Sequence, residues 1–177
     1  MAIKYIVIHH TAVSHKVNPD QFINTNDYHK QLFNMKSSLG FWVGYNYTIS
    51  ASGNVRQTRV DGEETAAQIG HNFDSISICL DGNFDIEFPT DAQVNALTEL
   101  IKEKARIYGV RSENIVPHRR FANKSCYGKN LSDTWASNLI GLSTPSTSCV
   151  EKDRVIIEQK DTLKKLTDWI AKQFKVS

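Results

Sequence analysis

The chain has 177 residues, with 21 lysines and arginines against 19 aspartates and glutamates and a formal charge of +2. That length supports one domain with a real core, and the mix of apolar and charged residues excludes a disordered or fibrous chain. So small a charge gives no sign of nucleic-acid binding, which calls for a concentrated basic stripe.

The apolar run near the N-terminus, Ile3 to Ile8, is too short for a signal peptide or a membrane span. Residues Ile3 to His9 are rich in β-branched and aromatic side chains and predict a buried strand. It closes on His9 and His10, which alternation sends to opposite faces, so only one of them can serve a given site. Asn18-Pro19-Asp20 predicts a helix start, and the helix is expected to reach about Asn34 carrying Phe22, Tyr28, His29, Leu32 and Phe33. Gly44 to Ser50 and Asn54 to Thr58 flank Ala51-Ser52-Gly53 and predict a hairpin with glycine at its turn.

Ser75 to Asp81 predicts the central strand. Thr90-Asp91-Ala92-Gln93 is a capping-box signature, followed by Val94, Leu97, Ile101, Ala105 and Tyr108 at helical spacing and a stop at Gly109. Asn114-Ile115-Val116 predicts a short strand delivering His118, and Ser132 to Ile140 a last short helix. Strands alternating with helices predict an α/β fold, a single layered domain with a central mixed β-sheet flanked by helices. It is expected over residues 1–140, followed by a linker at 141–149 and a C-terminal helix at 150–177. In that helix Ile156, Leu163, Leu166 and Ile170 form a stripe that would either dock on the domain or join a homo-oligomer. Cys79, Cys126 and Cys149 are too few for a disulfide framework and favour a reducing compartment.

The chemistry concentrates around Val116-Pro117-His118 and Lys124-Ser125-Cys126. With one histidine from the first strand, His118 and Cys126 make two imidazoles and a thiolate, a set that suits zinc with one position left open. Such a centre acidifies water and polarises a carbonyl, so the reaction class is metal-assisted hydrolysis of an amide. Tyr45, behind Gly44, and Lys124 are candidate donors to the oxyanion that forms. Read singly, each residue has a plainer role. Tyr45 and Cys79 would be core, Lys124 a solvated charge, His10 a packed or hydrogen-bonded residue, His29 a structural or cleft-lining residue, and His15 surface.

Taken together, these blocks resemble the zinc-dependent N-acetylmuramoyl-L-alanine amidases, a family that includes short phage lysozyme amidases and peptidoglycan recognition proteins. Ile6-Val7-Ile8-His9-His10-Thr11-Ala12 is similar to the family's first metal segment. Gly44-Tyr45-Asn46-Tyr47-Thr48-Ile49, with Gly53 and Arg59, resembles its tyrosine-bearing hairpin. Gly70-His71-Asn72, Ser75 to Ile78 and Gly82-Asn83-Phe84 resemble its central block, and His118 with Lys124-Ser125-Cys126-Tyr127-Gly128 its closing segment. The resemblance covers roughly residues 3 to 140. It implies zinc at His9, His118 and Cys126, catalytic assistance from Tyr45 and Lys124, and substrate contacts by His10, His29, His71 and Asn72.

The substrate implied is peptidoglycan, cut between N-acetylmuramic acid and L-alanine. A lysine two residues before the last ligand is the pattern of phage and cytosolic recycling amidases, where recognition proteins more often have threonine. The leading expectation is a phage or prophage endolysin, made in the host cytoplasm and released through a separate pore. The alternatives are a non-catalytic peptidoglycan-binding module and a bacterial muropeptide-recycling amidase. Two positions depart from the family pattern: Cys79 stands where some bacterial relatives carry a catalytic glutamate, and Tyr127 where a proline is usual.

Overall fold

A computed structural model of the chain describes residues 2–141. The expected C-terminal helix, Cys149 and nearly all of the expected linker lie outside the described residues. Strands β1 (Tyr5–His10), β2 (Tyr47–Ile49), β3 (Val55–Gln57), β4 (Ser75–Leu80) and β5 (Ile115–Pro117) form one sheet in the order β3-β2-β4-β1-β5. β4 runs parallel to β1 and β2, and β1 parallel to β5, while β2 and β3 make the antiparallel hairpin. Helices α1 (Phe22–Phe33), α2 (Asp91–Tyr108) and the short α3 (Trp135–Asn138) complete the expected α/β domain. Among the described residues no helix is long and apolar enough to cross a membrane.

β4 shows why the sheet has two unlike faces. Its sequence Ser-Ile-Ser-Ile-Cys-Leu alternates with the strand period, and all six residues are buried. Ile76, Ile78 and Leu80 join Ile6, Ile8, Tyr47, Ile49 and Ile115 in a core with Leu97, Leu100 and Ile101 of α2. Burying each such side chain contributes roughly 1.5–3 kcal/mol relative to leaving it in water. Ser75, Ser77 and Cys79 point the other way, in register with Tyr5, Val7 and His9 of β1. That second face carries the polar chemistry.

α2 begins and ends as its sequence predicts. Thr90 accepts from the Gln93 amide, the Gln93 side chain accepts from the Thr90 amide, and Gly109 takes the left-handed conformation at the C-cap. Tyr108 departs from the predicted apolar face: its ring is exposed and its hydroxyl donates to Asp61.

α1 departs further. It starts at Phe22 rather than around Asn18-Pro19-Asp20, because a tertiary contact replaces the local cap. The backbone N–H of buried Gln21 donates to the buried Asp81 carboxylate at 2.7 Å, while Asn18 caps only a turn, accepting from the Asp20 amide. Only His29 of α1 is buried, and Ile23, Tyr28, Leu32 and Phe33 are exposed. The expected helix over 132–140 shortens to α3, preceded by a single turn in which the Ser132 carbonyl accepts from both the Trp135 amide and the Tyr127 hydroxyl. His15 is not a surface residue: it is half-buried, with Nδ1 at 3.2 Å from Glu87.

Burial raises the pKa of Asp81 to about 6, against the lowering effect of the Gln21 N–H. Its folded pKa lies above the unfolded value, so its contribution to stability is present at low pH and lost as pH rises through about 6. Asp81→Asn keeps an acceptor for Gln21 and removes the titration. Between pH 4 and pH 7.5 the variant should gain on the wild type by on the order of 2 kcal/mol. Urea unfolding at both pH values measures this, and a pH-independent difference would contradict it.

Candidate active site

The site lies at the C-terminal ends of β1 and β5, where ligands of open α/β sheets commonly bind. β1 ends with the His9 ring on the polar face, 1% exposed. Its neighbour His10 turns to the core face, where its ring lies 5.8 Å from that of Phe84 and its Nδ1 accepts from the Phe84 amide. β5 ends at Pro117, so His118 enters a short 3₁₀ turn with its ring centre 4.6 Å from that of His9. Cys126 Sγ lies 3.9 Å from His9 Nδ1 and accepts the backbone N–H of His10 at 3.4 Å. Donor atoms of His9, His118 and Cys126 all fall within 4.8 Å of one another.

The loop that returns Cys126 to the sheet is held by Arg119. Its guanidinium donates to the carbonyls of Ser125, Gly128 and Leu131 and to the Asp133 carboxylate, and stacks over the Tyr127 ring. The Arg119 amide donates to the Cys126 carbonyl at 2.8 Å. Asp85 adds two more ties, accepting from the Ser125 hydroxyl and the Lys129 amide. Gly128 has φ +118, and a Cβ there would come within 2.4 Å of the Phe84 backbone, so only glycine lets the loop pass this close.

Electrostatics leave the three donors uncharged at neutral pH. Burial, then the nearby His118, holds the His9 pKa well below the ordinary histidine value. Burial and the Lys124 charge hold His118 at about 4, and burial pushes the Cys126 thiol up to about 11. The residues fit zinc. Two imidazoles keep their lone pairs, the third donor is a thiol, and the 3.9 Å N–S separation is close to the edge of about 3.6 Å expected for tetrahedral zinc.

Tyr45 packs its ring 4.9 Å from His9 and 5.3 Å from His29, and its hydroxyl faces the Cys79 thiol. Desolvation and the neighbouring Cys79 and Cys126 raise its pKa well above the ordinary value, so the phenol keeps its proton. Exposed Lys124 lines the mouth of both adjoining cavities, about 440 and 510 Å³, which also share Phe33, Ala66, Ala67 and His118. His10 and His29 line the larger one, but the His29 Nδ1 is taken by the Gly44 amide at 2.9 Å. Asn72 lines the smaller cavity, while its side-chain oxygen accepts from the Ala67 and Gln68 amides and the Thr65 hydroxyl. His71 lines neither cavity: it pairs with Asp74 and packs against Tyr5 and Phe121.

Sequence reasoning missed two partners of the site, buried Gln68 and half-buried Arg119. Gln68 accepts from His9 and belongs to a polar, irregular segment with no pattern to single it out. Arg119 sits beside His118 in the sequence, and a doubled arginine in a loop reads as surface charge.

The model of the N-acetylmuramoyl-L-alanine amidase family Amidase_2 matches residues 1–129. The chain belongs to that family. Peptidoglycan-recognition protein SC2 of Drosophila melanogaster is 30% identical over 144 residues, spanning 76% of this chain and 75% of that protein. Among solved structures, N-acetylmuramoyl-L-alanine amidase LysC from Clostridium intestinale URNW superposes with a TM-score of 0.68 at 21% identity, over 81% of this chain and 88% of LysC. Endolysine N-acetylmuramoyl-L-alanine amidase LysCS of the same organism gives 0.66 at 22% identity, over 81% and 86%. At these identities the two amidases confirm the fold. The match with the family model covers the strand ends and loops that carry His9, His118 and Cys126.

A metal that uses the Cys126 thiol must displace its proton, whereas both histidines are free of protons well below neutrality. Zinc affinity should therefore rise about tenfold per pH unit between pH 6 and 9. Competition against a chelator at three pH values measures the slope, and a flat profile would remove Cys126 from the ligand set.

Proposed function

We propose that this protein is a zinc-dependent hydrolase that cleaves the amide between the lactyl group of N-acetylmuramic acid and L-alanine in peptidoglycan. The observation that carries this reading is the convergence of His9, His118 and Cys126 within 4.8 Å at a cleft also lined by Tyr45 and Lys124. Zinc held by the three donors would supply Lewis acidity, polarising a carbonyl and lowering the pKa of water. The protein's own residues do the rest. Tyr45 keeps its proton and can donate it in a hydrogen bond to the oxyanion, where a tyrosinate would repel that charge. Lys124, at the mouth, adds a positive charge toward the same oxygen.

Cys79 cannot replace a glutamate base, because burial and then Asp81 raise its thiol pKa well above the ordinary value. Proton transfer to the leaving amine then falls to water in the open cleft. Peptidoglycan is the polymer named for the curated relative, and hydrolysis of it is the activity named for the family. The complete donor set favours turnover over recognition alone. We read the biological role as that of an endolysin, the role for which LysCS, an amidase of the same fold, is named.

Purified cell walls test the reaction. Digestion should release free L-alanine amino termini on stem peptides, seen by mass analysis of the products. It should stop with a strong chelator and return with zinc. His118→Ala and Cys126→Ala should abolish it, and product release that survives them would leave a binding module. Tyr45→Phe should lower kcat by about 10²–10³-fold with zinc content unchanged, and wild-type turnover in that variant would take Tyr45 out of the mechanism.

A further inference from the structure

Gln68 lies beneath the site, 2% exposed, with every polar position of its amide engaged. Its Nε2 donates to the His71 carbonyl at 3.1 Å and to the Ser75 hydroxyl. Its Oε1 accepts from the Ser77 hydroxyl at 3.0 Å and lies 3.1 Å from His9 Nε2. The orientation of this amide is decided by its neighbours. The His71 carbonyl can only accept, and Ser75 already spends its own hydrogen on that carbonyl at 2.6 Å, so both require the NH₂ end of Gln68. The oxygen is thereby turned to His9.

An oxygen there can only accept, so His9 Nε2 must carry the ring hydrogen and Nδ1 keeps the lone pair. Nδ1 is the nitrogen that faces Cys126 Sγ. From this geometry we infer that Gln68 is a positioning residue for the metal: it fixes the tautomer and rotation of His9 so that Nδ1 is presented to the ion. The inference rests on the zinc reading above. The device reaches beyond one side chain, since Asn72 holds the Ala67–Gln68 backbone and Ser75 and Ser77 come from the polar face of β4. Outer partners of ligating histidines commonly change metal affinity 10–100-fold.

The test uses the full chain and zinc itself, with affinity read by competition against a chromophoric chelator. Gln68→Leu should weaken zinc binding about 10–100-fold, while Gln68→Glu, which keeps an acceptor toward His9 but must carry a proton to meet the His71 carbonyl, should bind zinc more tightly than Gln68→Leu. Nitrogen-15 NMR of the His9 ring in zinc-free wild type should show the hydrogen on Nε2. Unchanged zinc affinity in folded Gln68→Leu, or a hydrogen on Nδ1 in wild type, overturns the inference. Should Gln68→Leu fail to fold, the ring tautomer and Gln68→Glu decide. If wild type takes up no zinc, the metal reading fails, and the tautomer still judges the role of Gln68 separately.

Discussion

A thiol eight residues beyond His118 can meet the two histidines at the ends of neighbouring strands only if the chain between doubles back, and Arg119 makes it do so. Its guanidinium gathers three carbonyls and a carboxylate from the returning loop, and its own amide binds the carbonyl of Cys126. Five donors in a rigid fork suit that work, and a lysine could not reach all the acceptors at once. Gly128 and Asp85 close the remaining freedom, the one by allowing near-contact with Phe84 and the other by tying Ser125 and Lys129. The position of Cys126 is therefore a property of the loop's hydrogen bonding.

The sheet supplies the other fixed side. Alternation along β1 and β4 sends isoleucines and leucine to α2 and leaves Ser75, Ser77, Cys79 and His9 on the opposite face. A polar face buried in a domain must satisfy its hydrogen bonds internally, since each unmet group costs about 1–3 kcal/mol. Gln68 meets that demand for two serines and a histidine together. The same logic operates at the far wall, where fully buried Arg59 donates to the carbonyls of Met35, Val43 and Glu64 and ties three segments around the cleft. Rigidity at the site is thus obtained from polar networks, with the apolar packing kept to the other face.

Much of this was legible in the sequence where the signal is local. The strand period of Ser75 to Leu80, the capping box at Thr90, the glycine stop at Gly109 and the hairpin around Gly53 each depend on neighbouring residues, and all four appear as predicted. The three donors were legible because each closes a recognisable block, and folding brings them together. Failures occurred where a distant partner decides the outcome. Asp81, sixty residues away, sets the start of α1. His71 and Asn72 belong to a recognisable block too, yet His71 packs between Tyr5 and Phe121 and Asn72 spends its oxygen on its own loop.

The ionisation of the site follows from its burial. A desolvated pocket disfavours charge, which lowers the pKa values of His9 and His118 and raises those of Cys126, Tyr45 and Cys79. Every one of these groups is then neutral near pH 7, and the five together incur none of the several kcal/mol that an unpaired buried ion costs. The same neutrality prepares two different tasks. It leaves lone pairs on two imidazoles for a metal, and it keeps a hydrogen on the Tyr45 phenol for an oxyanion. Only Cys126 has to change state, and it is the donor with the backbone N–H of His10 pointed at its sulfur and Lys124 and Arg119 close enough to favour the thiolate. The residue that must become charged is thus the one for which the surrounding loop has already assembled compensation.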